Sequence, residues 1–499
     1  IPDISHCFFK RNRGQNYGGS VYKVGRNADN KPFRLYDCIF EDNYCFNYAG
    51  VVAVINPSGI VQFQKCRFIR DSSRIEAGGV YTQTDGFNIR YELDSCHFIA
   101  NYSLINSGGF SHLVTGFGAD SVELIIRNCR FFVNRTTFGA GAGVNSFISG
   151  LVSYHYVFVQ DTWFESNFTQ NGGSGILIEG SGGAFFDVNL DRCFFLGNSL
   201  NGGEGSASFY YRSVSVDGDK NRNTITNCVF AYNDGAVTSL AGKPGTTDTQ
   251  VVNCTFYRNN KVPFTKYWDS EFNTTNYYMN MQILNSVIWE PEALGPHTLF
   301  FNNDPLNYNV RDYRVEHSMV HVADCTYEGV NPCQDGMIYG KWPEFIDSAG
   351  VTFEVWGNSP AHDAGSNLVA DTFGLKTDFL GYPRKAGQAA DMGAYEIPGP
   401  IIDAADMPGA TRRLNLHVSP NPASASTGIL AECFTVHSGQ YLVRLLRADG
   451  QLVLQDTRFI PAFTPVRLEL QLAPIAPGLY FLVILGQNGY SAHAKVFVQ

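Results

Sequence analysis

One phrase recurs through more than half of this chain and restricts it to very few architectures. It reads apolar-x-x-Cys-x-Phe-x-x-Asn. Its clearest copies carry Cys7, Phe9 and Asn12; Cys38, Phe40 and Asn43; Cys96, Phe98 and Asn101; Cys129, Phe131 and Asn134; Cys193, Phe195 and Asn198; Cys228, Phe230 and Asn233; and Cys254, Phe256 and Asn259. Degenerate copies put Asp71 for the Asn after Cys66, and Thr162 for the Cys before Phe164 and Asn167; a last, faint copy runs through Leu284, Ser286 and Ile288. Copies start roughly 26 to 35 residues apart, and self-similarity at such a period marks a solenoid whose units cannot bury an apolar face alone.

On a strand, residues two apart share a face, so Cys and Phe point together while the residue between them points away. That middle position holds Ile39, Arg67, His97, Arg130, Trp163, Val229 and Thr255, a mixed set suited to a partly wet outer surface. Roughly ten to twelve residues past each Cys comes a glycine cluster, such as Gly78-Gly79, Gly108-Gly109 or Gly141 to Gly143. Each cluster introduces another β-rich run, so a repeat supplies at least two strands and a turn where positive φ is tolerated. Leucine-rich repeats use the same offsets but run shorter, about 20 to 29 residues, with a helical or tight convex segment. Here the remainder is glycine-punctuated and rich in Val, Phe and Tyr, without helical periodicity. The expected fold is all-β: a right-handed parallel β-helix solenoid followed by a small antiparallel β-sandwich. Stacked Phe fills the bore, Cys acts as a small hydrophobe, and Asn at a bend ties coil to coil.

Composition fits an elongated β protein, with 50 glycines, 14% aromatic and only 16% charged residues in 499. A net charge of −10 argues against nucleic acid as the main partner, and no apolar run reaches the roughly 18 residues of a membrane span. The ladder cysteines, Cys7, Cys38, Cys66, Cys96, Cys129, Cys193, Cys228 and Cys254, are expected reduced and buried, because parallel, same-facing Cβ vectors suit a disulfide poorly. Cys325 and Cys333 flank a loop with Gly and Pro, where a local disulfide is expected if the protein is exported. Cys45 and Cys433 stand apart from the ladder.

The boundaries that follow are coils over 1–290, final coils and a closing cap over 291–397, a Pro/Gly-rich linker over 398–413, and a β-sandwich over 414–499. The closing segment carries Ser359-Pro360-Ala361-His362-Asp363-Ala364-Gly365, Asp378-Phe379-Leu380-Gly381-Tyr382-Pro383-Arg384 and Asp391-Met392-Gly393-Ala394-Tyr395-Glu396. This trio resembles the end of secreted bacterial right-handed parallel β-helix repeat proteins, with His362 where Ile is usual. There it looks like the end of the solenoid, and an open β edge requires a cap. Asp363, Asp378, Arg384, Asp391 and Glu396 form a candidate cluster; the reading preferred over catalysis is that they tie the cap together.

The last stretch carries Val418-Ser419-Pro420-Asn421-Pro422, Gly439-Gln440-Tyr441, Asp449-Gly450-Gln451, Pro477-Gly478-Leu479-Tyr480 and Lys495-Val496-Phe497-Val498. It resembles the type A C-terminal sorting domain of the type IX secretion system of Bacteroidota-like bacteria. That resemblance implies export, a secreted or cell-surface location, and the secretion machinery as a partner; persistence as an assembly or docking domain is the alternative.

β-Helices host lyases, hydrolases, adhesins and spacers alike. A lyase needs a basic residue beside carboxylates, often with Ca²⁺, and a hydrolase needs two positioned carboxyl groups. The sequence lacks the Asp-Asp and His-Gly phrases typical of pectin hydrolases of this shape. Asp217, Asp219 and Asn221 alternate as in a calcium loop, but the twelfth position is Cys228 instead of a bidentate acid, so a solvated turn is preferred to a metal site. Tyr154, Tyr156, Tyr210, Tyr211, Trp268, Tyr277 and Tyr278 could stack on sugars if exposed in rows, although strand alternation alone accounts for half of them. The favoured expectation is a noncatalytic structural or adhesive surface protein, with self-assembly as a further hypothesis; the alternative is a polysaccharide-active enzyme or a glycan-binding protein.

Overall fold

The computed structural model describes residues 4–25, 32–85, 88–115, 119–149, 152–181, 185–201, 207–214, 219–241, 245–260, 263–268, 277–291, 300–302, 313–326, 331–347, 352–397, 414–419, 429–435, 439–447, 452–460, 466–470, 476–486 and 491–498. It divides into two compact units, one of Ile1–Pro343 with Gly357–Gly399, the other of Glu344–Trp356 with Pro400–Gln499.

The first unit is a parallel β-solenoid, as the repeat predicts. One coil consists of the strands Ile89–Asp94, His97–Ile99, Tyr102–Ser103 and Phe110–Val114. Each pairs in parallel with its counterparts one coil before and one coil after, building sheets of 11, 12, 7 and 10 strands. The phrase lies on the second sheet, where Phe9, Phe40, Phe68, Phe98, Phe131, Phe164, Phe195, Phe230 and Phe256 stand in strict register. Their rings stack at 4.6 to 5.1 Å, with planes within 15° of parallel. Each such contact adds about 0.5 to 1.5 kcal/mol beyond area burial. The facing wall is apolar too: Leu35, Phe63, Leu93, Ile126, Val159, Leu190, Ile225 and Val251 are buried on the first sheet.

At the end of each phrase the Asn builds a second column. Asn134 Nδ2 donates to Phe98 O at 2.9 Å and to Asn167 Oδ1 at 3.1 Å, and its own backbone N–H donates to the same Oδ1. The pattern repeats from Asn101 to Asn134, from Asn167 to Asn198, from Asn198 to Asn233 and from Asn233 to Asn259. It closes on Glu290, whose Oε1 and Oε2 accept from Asn259 Nδ2 and N at 2.5 Å. A buried amide row is tolerable because every group in it is paired.

The corners explain other residue choices. The residue just before each Cys position turns into the left-handed region, with φ of 46 to 56° at His6, Asp37, Lys65, Ser95, Asn128, Asp161, Arg192, Asn227, Asn253, Asn285 and His317, eight of the eleven being Asn, Asp or His. Asn, Asp and His tolerate that region best among non-glycine residues. The residue before the ladder Asn does the same, even at Val133 and Tyr232, where the cost is roughly 1 to 2 kcal/mol. That cost is offset by ladder bonds such as Val133 N to Glu165 O at 2.9 Å. Some glycine clusters supply the positive-φ turn expected of them, at Gly18, Gly141, Gly172 and Gly173; other glycines play a different part. A Cβ on Gly50 would lie 2.1 Å from Gly78 O, and one on Gly109 would lie 2.4 Å from Gly143 O. These glycines let consecutive coils touch; the left-handed residues there include Ala49, Ala77 and Ser107.

The ladder cysteines are free, and all but the half-buried Cys7 are buried; their thiols meet the previous coil, as Cys96 Sγ does in donating to Phe63 O at 3.2 Å. Burial pushes the Cys96 thiol well above its usual range. Cys325 and Cys333 are disulfide-bonded. No helix of the described residues is long and apolar enough to cross a membrane.

The second unit contains two antiparallel sheets, one of Leu414–Ser419, Ile429–Thr435 and Val466–Leu470, the other of Leu452–Ile460, Gly439–Arg447, Gly478–Gly486 and Ser491–Val498. Both feed one apolar core that includes Ala431, Cys433, Val443, Leu445, Leu482 and Val496. Burial raises the Cys433 thiol to about 11. An antiparallel hairpin, Phe345–Asp347 with Thr352–Val355, groups with this unit although it lies within 291–397 of the sequence. Its pairing sense differs from that of the parallel ladders.

Asp71 is the one rung within the Asn column, before its closing Glu290, that carries a carboxyl instead of an amide. It accepts from Asn43 N and Nδ2 at 2.8 and 2.9 Å, and burial lifts its carboxyl to about 7 from an ordinary 3.8. The folded state therefore holds a proton that the unfolded chain releases between about pH 4 and pH 7, so stability falls as pH rises through that window. Asp71→Asn should raise the unfolding free energy at pH 8 by on the order of 2 to 4 kcal/mol, and by far less at pH 4. Denaturant melts at the two pH values measure it, and a pH-independent difference would contradict the assignment.

Candidate functional site

The closing segment does not sit over the last coil, where the need for a cap placed it. The described contacts of residues 357–397 run along the flank of the solenoid, over the outward positions of the second sheet. The Phe379 ring lies 6.3 Å from Trp163 and 6.0 Å from Phe194. Arg384 Nη2 donates to Asn227 Oδ1 at 2.6 Å. Asn253 Nδ2 donates to Asp391 O, and Ala394 N donates to Thr255 Oγ1 at 2.9 Å. Ser366 N donates to Asn285 Oδ1, while Asn285 Nδ2 returns a bond to Ser366 O. The segment is a strap across five coils. It uses the same corner asparagines that turn the chain before each Cys position, whose side chains project outward. Under it, Phe194, Val229, Thr255 and Val287 are buried.

The charged residues of the strap hold its own turns. Arg384 is fully buried and donates to the carbonyls of Gly393, Ala394 and Tyr395 as well as to Asn227, with Glu396 Oε2 at 3.5 Å. Asp378 accepts from the backbone N–H groups of Leu380, Tyr382 and Glu396; burial lifts its carboxyl to about 6 against the pull of Arg384. Glu396 accepts from Ala386 N and Asp391 N, and burial, reinforced by Asp391, raises it to about 8.

His362, Asp363 and Asp391 are the one group among the described residues whose ligand atoms converge as a metal site would require. The donor set does not fit an ion. Asp391 Oδ1 accepts from Asp363 N at 2.6 Å and contacts His362 Nδ1 at 3.0 Å, and its Oδ2 accepts from Ile397 N at 2.7 Å. Asp363 Oδ1 accepts from Ala389 N. Three of the four carboxylate oxygens of the pair accept backbone N–H groups of the strap, and His362 Nδ1 is a further tie to Asp391.

The other candidates disperse. Asp217 lies outside the described residues. Asp219 begins a strand in register with Gly245, and Asn221 is buried, its Oδ1 accepting from Phe186 N at 3.0 Å, so Asn221 does not belong to a solvated loop. Tyr211 is buried in the bore and Tyr210 is also buried. Tyr154 lies 5.3 Å from Phe185 with nearly parallel planes and donates its hydroxyl to Asp187 at 3.2 Å. The side chains of Trp268, Tyr277 and Tyr278 lie outside the described residues. A shallow groove of about 430 Å³ on the first sheet is lined by Ser5, His6, Arg34, Leu35, Tyr36, Gln62 and Gln64, without a carboxylate.

Sequence reasoning missed the underside of the strap. The signal was present: the outward middle position changes from Arg67, His97 and Arg130 to Trp163, Phe194, Val229, Thr255 and Val287, a shift to residues that accept cover. It also missed an outer tyrosine stack, Tyr22 on Tyr17 on Tyr48, with centroids 5.4 and 5.2 Å apart. The recurrence of Tyr just before the glycine cluster could have found it.

No family model matches the chain, and comparison with curated proteins finds no relative.

Breaking a buried, multiply bonded charge costs about 3 to 5 kcal/mol. Arg384→Met should therefore release the strap while the coils stay folded. The expected outcome is a red-shifted Trp163 emission and new proteolytic cuts within 357–397, with the main unfolding transition retained. A strap that stays protected in the variant would contradict its anchoring by Arg384.

Proposed function

We propose that this chain is an exported or cell-surface, noncatalytic structural and adhesive β-solenoid protein, a subunit of an extracellular assembly, with a type IX sorting module at residues 414–499. The observation that carries the noncatalytic part is the use made of the acidic cluster. Asp363, Asp378, Asp391 and Glu396 each accept backbone N–H groups that fold the strap, whereas a hydrolase needs two carboxyl groups facing a sugar ring, about 5 to 9.5 Å apart. The first-sheet groove, which offers His6, Arg34 and Tyr36 but no acid, suits binding better than turnover. The export part is supported by the resemblance at Val418-Ser419, Pro477-Gly478-Leu479-Tyr480 and Lys495-Val496-Phe497-Val498, and by the separate antiparallel core that carries these residues. The local disulfide Cys325–Cys333 accords with an oxidising destination.

Deleting residues 414–499 in the source bacterium should leave the solenoid inside the cell envelope, as read by surface labelling and fractionation. The purified full chain should release no product from polyuronates while binding cells, glycans or itself. Export of the truncated chain would remove the sorting role; turnover abolished by substituting a single acidic residue of a coil would remove the noncatalytic one.

A further inference from the structure

Among the described residues, the strap covers the outward column of the second sheet from Trp163 onward. Before it, the same column is basic, with Arg67 exposed and His97 and Arg130 half-buried. Arg67, His97 and Arg130 stand in register on three consecutive coils, at the strand spacing of about 4.8 Å, and Arg130 is in turn in register with Trp163. Arg130 is paired with Glu165, Nη2 to Oε2 at 2.6 Å. Arg67 is exposed, and no ion pair joins it to an acidic side chain among the described residues. His97 lies between the two guanidinium groups; burial, and then Arg67 and Arg130, hold its imidazole down to about 4. At neutral pH the column carries the Arg67 charge without an ion-pair partner among the described residues and the Arg130 charge balanced by Glu165, the imidazole between them refusing a proton until a further counter-charge arrives.

Apart from Glu165, the acidic groups nearby are held by other partners. Glu41 and Asp42 are engaged by Lys10 and Arg70, Asp37 by His6, and Asp94 by Ser95 and Asn128. Lys65 donates to Tyr36 Oη at 3.1 Å. Beside the basic column runs an apolar one, Ile69, Ile99 and Phe132, all half-buried, and the basic column continues outward through Ile39 to Phe8, which is 59% exposed.

The covered half shows what this face receives: a length of peptide running across the coils. We propose that the open half, Phe8, Ile39, Arg67, His97 and Arg130, receives an acidic peptide segment from another protein chain, lying end-on to the strap with its carboxylates over Arg67 and His97. Two features favour peptide over other polyanions. The site continues an interface that is already peptide on sheet, and its apolar flank of Ile69, Ile99 and Phe132 suits side chains better than a densely charged, hydrated polymer. The charge complement fixes the sign of the partner. This deepens the reading of the protein as an assembly subunit, yet its test uses neither export nor turnover, so the two can fail separately.

The test uses purified full chain and fluorescently labelled poly-L-glutamate as probe, with heparin and polygalacturonate as competitors. Poly-L-glutamate should bind at low ionic strength and be released at high salt, and the His97 imidazole, followed by ring NMR on selectively labelled protein, should titrate at higher pH when the probe is present. Arg67→Glu, a change at an exposed side chain with an unaltered melt as its control, should weaken binding roughly tenfold or more, while Arg67→Lys should keep most of it. Absence of poly-L-glutamate binding, binding indifferent to Arg67→Glu, or a His97 titration that does not move would overturn the proposal. So would tight binding of heparin or polygalacturonate at Arg67 in preference to poly-L-glutamate, which would assign the strip to an anionic glycan.

Discussion

The structure depends on one repeated interaction, the side-chain amide of a ladder Asn binding two coils at once. Each Nδ2 reaches back to the Phe carbonyl of the coil before and forward to the Oδ1 of the coil after, and the backbone N–H of the same residue joins that second bond. An amide that deep in a protein is tolerable only if all its groups are paired, so the position tolerates little besides Asn. The side-chain-to-side-chain bonds are directional, because each Oδ1 accepts from the Asn of the coil before. The row ends on Glu290, which accepts from Asn259 and has no side-chain donor to pass on. The row fixes register, and register places Phe on Phe, Cys on Cys and the glycines where coils must touch.

Register also produces the two faces of the second sheet. Inward, identical residues repeat because each rung meets a copy of itself. Outward, nothing imposes repetition, and the chain uses that freedom twice. Over the later coils it presents Trp163, Phe194, Val229 and Thr255 to a strap of its own, tied down through Arg384 and the corner asparagines. Over the earlier coils it leaves arginine and histidine facing out. The carboxylates of the strap, which on composition alone resemble a catalytic group, are spent on backbone N–H groups.

Much of the solenoid was legible in the sequence because its determinants are local and repeated: two residues fix a face, five fix the rung, and recurrence fixes the stack. Glu290 was harder to see, since a carboxylate one place early substitutes for an amide, and the left-handed corners at His6, Asp37 and Asn128 were hidden in plain Asx usage. The strap could not be placed. Its motif resembles the end of a solenoid, and whether such a segment folds over the last coil or back along the side is decided by tertiary partners such as Asn227 and Asn253, far away in sequence. The hairpin at Phe345–Val355 grouped with the second unit for the same reason: strand propensity is local, whereas pairing sense and partner are not. The solvated turn preferred at Asp217, Asp219 and Asn221 fails at Asn221, because strand alternation buries its side chain.

The central claim, that identical residues of consecutive coils bear directly on one another, is tested most directly by a double-mutant cycle on the phenylalanine column. Phe131→Leu and Phe164→Leu, on neighbouring rungs with centroids 5.1 Å apart, should show a coupling energy of about 0.5 to 1.5 kcal/mol in denaturant unfolding. Phe68→Leu paired with Phe230→Leu, on distant rungs, should be additive within about 0.5 kcal/mol. Equal coupling in both pairs, or none in the first, would contradict the stacked register on which the account stands.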